Sequence, residues 1–214
     1  MLTRGFTLLE VLITLIILMF GLLGLAGLMA KGQRASFEAF QRQQALSFAT
    51  DVAERMRSNR ELAATYAAAA PLATPVGSGA RFALIGTAGV SNCGAANVIC
   101  TPAEMAAYDM ALWDGALVGA AETEVQGGNR IGGISRANGC IVANGGAIGA
   151  ACPGAPALPA GRFFFGQRYT VSVAWQGRDA TATPTGSACG AGNYGTESFR
   201  RLVTLDVIVQ VPCP

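Results

Sequence analysis

The sequence predicts an α+β protein in which one long N-terminal helix packs on a C-terminal antiparallel β-sheet. Three observations predict this fold class. Residues 11–30 contain no charged side chain, a helical period of apolar residues continues to about residue 60, and two segments near the C-terminus alternate between apolar and polar residues.

The helix is predicted to begin at residue 6 and to end at about residue 60, since no proline occurs before Pro71. Its first half is long enough to cross about 30 Å of hydrocarbon, with Arg4 and Lys31 as flanks. Three glycines interrupt this half at a spacing of three, namely Gly21, Gly24 and Gly27. Glycine costs up to about 1 kcal/mol in a helix but lets helices approach closely in an apolar medium.

The second half of the helix is amphipathic, with a stripe of apolar residues that includes Phe37, Phe40, Phe48, Val52 and Met56. Three arginines gather near its end, Arg55, Arg57 and Arg60. They could bind an acidic partner, but we interpret them as a complement to the helix dipole and as solubilising residues.

The remaining elements are predicted from residue 61 onward. Residues 61–80 are interpreted as a linker, residues 81–87 as a strand, and residues 126–161 as short strands and loops. Thr101, Pro102 and Glu104 form a helix start with N-cap, first-position proline and capping-box acid, and the helix runs to Trp113. Residues 169–175 and 203–211 are predicted to pair as antiparallel strands against the long helix, with an exposed loop containing Cys189 between them.

All six cysteines follow the apolar segment: Cys93, Cys100, Cys140, Cys152, Cys189 and Cys213. An even number behind a targeting segment favours disulfides, and the spacings fit zinc sites poorly. Among fifteen connectivities we predict sequence-local pairing, Cys93–Cys100, Cys140–Cys152 and Cys189–Cys213.

Composition argues against several function classes. The chain has 214 residues, a net charge of +2 and no histidine, which excludes Ser–His–Asp and Cys–His catalysis and His-ligated metals. The carboxylate pairs Asp109/Asp114 and Glu122/Glu124 are interpreted as solvated surface, and the glycine-rich segment 127–133 as a loop rather than a phosphate site. We predict no enzyme, no cofactor and no metal.

The N-terminal residues 4–10, with Arg4, Gly5, Phe6 and Glu10, resemble the type III prepilin signal. A secretory signal has a shorter apolar core, and a plain anchor leaves Glu10 unexplained. The resemblance implies cleavage between Gly5 and Phe6, N-methylation of Phe6, and docking of Glu10 on the Phe6 amine of a neighbouring subunit.

Four further blocks, residues 21–28, 51–60, 100–109 and 169–178, resemble the PilV family of type IV pilus modification proteins. The resemblance implies a type IV pilin fold, with a leader (1–5), a transmembrane or fibre-core half-helix (6–30), an amphipathic half-helix (31–60) and a periplasmic head (61–214). It also implies a minor pilin that joins other minor pilins to prime pilus assembly, with a position at the fibre tip. The implied partners are prepilin peptidase, other minor pilins, the major pilin, the inner-membrane assembly platform and a large tip adhesin.

The implied location is the bacterial inner membrane, as a single-pass protein, and then the pilus at the cell surface. A type II secretion pseudopilin shares the signal and the fold plan and is the alternative. A DNA-uptake pilin gains no support, because the head shows no basic patch with interleaved aromatic residues.

Overall fold

The computed structural model describes residues 7–87, 89–120, 132–145, 148–149 and 164–212. The chain divides into two compact units, Met1–Gln41 and Arg42–Pro214. Three α-helices and four strands are described: α1 (Leu8–Ser58), α2 (Ala63–Ala69), α3 (Pro102–Val118), β1 (Asn138–Ala143), β2 (Ile148–Gly149), β3 (Phe164–Gln176) and β4 (Arg200–Pro212).

Helix α1 confirms the predicted long helix. It ends at Ser58 and is followed by a 3₁₀ turn over Arg60–Leu62. Asn59 stands between the two and donates a hydrogen bond from Nδ2 to the carbonyl oxygen of Pro102 at 2.7 Å. The end of α1 is therefore tied to the start of α3.

Two predictions about the segment after α1 are wrong. The predicted linker 61–80 contains helix α2, whose alanines favour a helix and whose Tyr66 is fully buried. The predicted strand 81–87 contains instead a 3₁₀ turn over Phe82–Leu84, because the backbone N–H groups at its start point toward one carboxylate, Asp114.

The start of α3 is confirmed. The Thr101 hydroxyl accepts a hydrogen bond from the Glu104 N–H at 3.3 Å, and the Glu104 carboxylate accepts one from the Thr101 N–H at 2.8 Å. The helix continues past Trp113 and stops at Gly119, which adopts the left-handed conformation with φ of 65°.

Strand β3 is the centre of an antiparallel sheet. Strands β1 and β2 pair along one of its edges, and β4 pairs along the other over its whole length, from Phe164 opposite Pro212 to Gln176 opposite Arg200. Both predicted strands and their antiparallel pairing are confirmed, and both strands are longer than predicted.

One face of the sheet forms the main core with α1, α2 and α3. Val52 and Met56 from α1, Trp113 from α3 and Val171 from β3 are all fully buried there. Trp113 also donates from Nε1 to the Phe48 carbonyl oxygen at 3.0 Å, which links α3 to α1. Gly139 on β1 permits this packing, because a Cβ at that position would lie 2.5 Å from the Trp113 ring.

The opposite face of the sheet is also covered along part of its length. Cys189 and Tyr194, from the segment between β3 and β4, are buried together with Cys140 and Ala174. The prediction of an exposed loop at Cys189 is therefore wrong. The segment forms a second, smaller layer over the C-terminal part of β3.

Candidate assembly site

Glu10 lies in the first turn of α1, and its side chain is exposed. Its N–H lies 3.3 Å from the hydroxyl oxygen of Thr7, which accepts a hydrogen bond from it. An acidic residue in this turn is favoured by the helix dipole, whose positive end is at the N-terminus. Gly5 and Phe6, the predicted cleavage and methylation residues, lie outside the described residues.

The apolar half of α1 presents its large side chains on every side. From Leu8 to Met29 each large apolar side chain is between 48% and 79% exposed. Thr14 is the one polar side chain between Val11 and Ala30, and its hydroxyl donates to the Val11 carbonyl oxygen at 2.9 Å. The segment thus offers an apolar surface whose polar groups are satisfied within the helix, as a membrane or a helical bundle requires. Among the described helices, α1 is long and apolar enough to cross a membrane.

Gly21, Gly24 and Gly27 leave open space beside this half of α1. A Cβ built on any of them would meet no atom within 4 Å. The packing of the described chain therefore gives no reason for glycine at these positions.

A cluster of polar side chains joins α1, α2 and α3. Arg55 donates from Nη1 to Asp109 Oδ1 at 2.8 Å and from Nε to Asp51 Oδ2 at 2.9 Å. The Tyr66 hydroxyl donates to Asp109 Oδ2 at 2.6 Å. Burial raises the pKa of the Tyr66 hydroxyl well above its usual range, and the hydrogen bond to Asp109 raises it further. The sequence predicts Arg55 to be a complement to the helix dipole and a solubilising residue, and the structure shows that it also pairs with Asp109 on α3.

Asp114 holds the segment before the Phe82–Leu84 turn against α3. Its carboxylate accepts backbone hydrogen bonds from Gly77, Gly79, Arg81 and Phe82 at 2.6, 3.1, 2.8 and 3.4 Å. Asp114 is 1% exposed and Asp109 7%. The interpretation of both as solvated surface is therefore wrong: both are buried, and both act as hydrogen-bond acceptors that fix neighbouring segments.

The disulfides agree with only part of the predicted pairing. Cys93 pairs with Cys100, as predicted, and Cys140 pairs with Cys189. Because each sulfur forms one such bond, the predicted Cys140–Cys152 and Cys189–Cys213 bridges are wrong. The physical reason is that the segment containing Cys189 folds back over β1, which brings its Cα to 5.8 Å from that of Cys140. Cys152 and Cys213 lie outside the described residues.

Arg200 was not identified from the sequence, although it organises the same layer. It is 5% exposed, and its guanidinium donates to the carbonyl oxygens of Ser187 and Cys189 and to the Glu197 carboxylate. Nearby, burial raises the pKa of Tyr194 to about 12. The sequence signal is weak, since Arg200 stands beside Arg201 at the start of a strand and only the three-dimensional path of residues 184–189 reveals its acceptors.

The described residues hold no group of three or more Cys, His, Asp or Glu side chains that could bind a metal ion. A cleft of about 480 Å³ on the second layer is lined by residues that include Gln176, Arg178, Tyr194 and Phe199. The carboxylates Glu122 and Glu124 and residues 127–131 of the glycine-rich segment lie outside the described residues.

Two family models match parts of the chain. Residues 1–26 match the prokaryotic N-terminal methylation motif, and residues 28–111 match the family model described as Type IV pilin Tt1218. No curated protein and no solved structure matches the chain. With the long N-terminal helix and the antiparallel sheet that follows it, these two matches show that the chain is similar to type IV pilins in its N-terminal half.

Proposed function

We propose that the chain is a minor pilin of a type IV pilus. It is made as a precursor, cleaved by prepilin peptidase between Gly5 and Phe6, N-methylated at Phe6 and held in the inner membrane with its head (61–214) in the periplasm. It then joins other minor pilins in a complex that primes pilus assembly at the fibre tip. The observation that carries this proposal is an apolar half-helix whose large side chains are all exposed and that begins with a single carboxylate, Glu10.

The exposed apolar surface explains why the proposed chain lies first in a membrane and then in the core of a fibre. Large apolar side chains exposed on every side of a helix are unfavourable in water, at about 25 cal/mol for each Å². A bilayer covers them before assembly, and the packed helices of other pilins cover them in the fibre. Gly21, Gly24 and Gly27 then serve close helix–helix contact, which their open surroundings in the isolated chain permit.

Glu10 supplies the recognition step. A carboxylate that enters an apolar fibre core needs a cationic partner, since an unpaired buried charge is costly. The methylated amine of Phe6 on a neighbouring subunit is such a partner. The minor-pilin assignment rests on the PilV-like blocks, which also imply the major pilin, the assembly platform and a large tip adhesin as further partners.

Processing is tested by intact mass and N-terminal sequencing of the chain recovered from membranes, with and without prepilin peptidase. We expect a start at N-methyl-Phe6 that is lost when the peptidase is absent. A Gly5 substitution should leave the precursor uncut. An N-terminus at Met1, or a cut near residue 30, contradicts the proposal.

Docking is tested with Glu10→Gln, which removes the charge and keeps the shape. We expect normal cleavage but much less of the chain in sheared pili and in complexes with other minor pilins. Glu10→Asp is the matched control, since it retains the charge. Normal incorporation of Glu10→Gln contradicts the docking role, and recovery of the wild-type chain with a type II secretion complex instead of pili favours the pseudopilin.

A further inference from the structure

The cleft on the second layer has the size of a small-molecule site. Its volume of about 480 Å³ lies within the range of about 300–1,000 Å³ that ligand pockets occupy. Three parts of the chain form its walls: Ser135 ahead of β1, residues 176–178 at the end of β3, and residues 194–199 ahead of β4. We call it the second-layer cleft.

Hydrogen bonds hold the three walls together. The Gln176 N–H donates to the Ser135 carbonyl oxygen at 3.1 Å, and the Gly177 N–H donates to the Phe199 carbonyl oxygen at 2.7 Å. The guanidinium of Arg136 donates to Gln176 Oε1 at 3.2 Å and to a backbone carbonyl oxygen next to the third wall at 2.6 Å. The cleft is therefore formed before any ligand arrives, which lowers the cost of binding.

The lining of the cleft is rich in hydrogen-bond donors. A guanidinium only donates, so the Gln176 atom that faces Arg136 is Oε1, and the Nε2 group is left to donate to a ligand. Arg178 adds an exposed guanidinium, and Ser135 and Thr196 add hydroxyl groups. No carboxylate is among the lining residues in the described part of the chain. This lining favours a ligand that carries acceptor oxygens and a negative charge.

The acids near the cleft do not oppose such a ligand. Both oxygens of Glu197 are used, one by a backbone N–H at 2.8 Å and the other by Arg200 Nε at 2.6 Å. Asp179 is exposed and is not among the lining residues. Burial raises the pKa of Tyr194 to about 12, against the opposing effect of the Arg200 and Arg136 guanidinium groups. Two positive charges therefore act on the aromatic wall of the cleft.

Two aromatic residues, Tyr194 and Phe199, also line the cleft. Tyr194 is buried, and its hydroxyl accepts a hydrogen bond from Asn138 Nδ2 at 2.6 Å, so the ring is held in place. Aromatic rings offer a flat apolar surface to the C–H groups of a ligand. A saccharide ring combines such C–H groups with hydroxyl groups, which suit the hydroxyl and amide side chains of the same lining.

We propose that the second-layer cleft binds a sugar acid, that is, a saccharide ring that carries a carboxylate, such as a hexuronate. The carboxylate pairs with Arg178, the ring hydroxyl groups bind Gln176 and its polar neighbours, and the C–H groups contact Tyr194 and Phe199. A nucleic acid fits less well, because it is bound by several basic residues that follow its backbone along a groove. The inference goes beyond the proposed function and does not depend on it, since it concerns binding by the chain itself.

The first test measures binding of D-glucuronate to the full chain in detergent by ligand-observed NMR, with D-glucose as the neutral counterpart. We expect a Kd for D-glucuronate of about 1 mM and a Kd for D-glucose at least about tenfold higher. Equal Kd values, or no saturable binding of D-glucuronate, overturn the inference. Displacement of D-glucuronate by inorganic phosphate or by a single-stranded oligonucleotide at equal or lower concentration also overturns it.

Free sugar acids and acidic polysaccharides present the same group, and a hexuronate trimer separates the two sources. A trimer that binds at least as tightly as the monomer supports the inference with a polysaccharide as the source. A trimer that binds more weakly supports it with the free sugar acid.

Gln176→Glu tests the donor directly. The new carboxylate still accepts from Arg136, but it removes the Nε2 donor and adds a negative charge, so we expect the Kd for D-glucuronate to rise at least about tenfold. Arg178→Gln removes an exposed cation and should raise the Kd by at least about tenfold as well. Arg168→Gln is the matched control, an exposed arginine on β3 outside the cleft, and should change the Kd less than about twofold.

Denaturant-induced unfolding of each variant, followed by tryptophan fluorescence, shows whether its head is folded. If Gln176→Glu does not fold, Arg178→Gln decides the question, because its side chain is exposed. Wild-type affinity for D-glucuronate in a folded Arg178→Gln variant overturns the inference.

Discussion

Two aspartates on α3 illustrate how single residues determine this fold. Asp109 and Asp114 are both buried, and each receives hydrogen bonds from segments distant in sequence. A buried carboxylate is tolerated when its oxygens are saturated with donors. Asp114 meets this condition with backbone N–H groups, and Asp109 with Arg55 and Tyr66.

Replacing Asp114 with Asn should destabilise the protein by about 2–4 kcal/mol, because one amide oxygen cannot serve the four backbone N–H groups that the buried carboxylate accepts from. The free energy of unfolding can be measured on detergent-solubilised protein by fluorescence of the buried Trp113 and Trp175. Asp51→Asn, at a carboxylate that is 47% exposed, is the control and should cost no more than about 1 kcal/mol. Equal stability of the two variants would show that the Asp114 bonds contribute little.

Glu104 gives a pH-dependent prediction. Hydrogen bonds from the Thr101 N–H, the Thr101 hydroxyl and the Ser91 hydroxyl lower the pKa of its carboxyl below the ordinary 4.5. A carboxyl whose pKa is lower in the folded state stabilises that state above the unfolded pKa, and the contribution is lost as the pH falls through the folded pKa.

The melting temperature of Glu104→Gln should therefore lie below that of the wild type near pH 7, and the difference should shrink as the pH is lowered below about 4.5. Gln can still form a capping box but offers one acceptor oxygen where the carboxylate uses two, so the pH dependence of the difference, and not its size at pH 7, reports the charge. A difference that stays constant with pH would contradict the role of the ionised carboxyl.

At the scale of elements, the segment between β3 and β4 turns a one-sided sheet into a partly three-layered one. Ser172 and Ala174 on β3 alternate with core residues and would face solvent in a half-buried strand, yet both are fully buried. The Cys140–Cys189 bond and Arg200 hold the covering segment in place.

Removal of the Cys140–Cys189 bond by paired alanine substitutions should cost more than removal of Cys93–Cys100. The sequence separations are 49 and 7 residues, and loop-closure entropy gives about 4 and about 2.5 kcal/mol for them. Denaturant-induced unfolding of both double variants measures which bond contributes more to the free energy of unfolding. The reverse order would mean that the second layer adds little to stability.

At the scale of the whole molecule, the apolar half of α1 is not part of the buried core. Its side chains are exposed and its glycines face open space, so substitutions there should affect assembly and leave the rest of the chain unchanged.

Gly24→Leu should leave the unfolding of the second unit unaltered but reduce incorporation into fibres, because a large side chain separates helices that pack closely. The measurement pairs fluorescence-detected unfolding with the yield of the chain in sheared pili. Leu22→Ile, a swap of similar volume on the same half-helix, is the control. Wild-type yields with Gly24→Leu would argue against close packing at this glycine.

The amino-acid sequence by itself determined the features that depend on local pattern. The extent of α1 follows from apolar periodicity, the start of α3 from Thr101, Pro102 and Glu104, and the β3–β4 pair from residue alternation. These signals suffice because hydrogen bonding and side-chain direction repeat along the chain in helices and strands.

The tertiary structure decided what depends on distant partners. Whether Asp114 is solvated or buried depends on where residues 77–82 run, and the partner of Cys140 depends on how the segment before β4 folds over β1. The same holds for residues 81–87. Their composition predicts a strand, but they contain a turn whose first backbone N–H groups donate to a carboxylate more than thirty positions away. Contacts of this range carry no periodic signal, because the spacing between the partners is set by the whole fold.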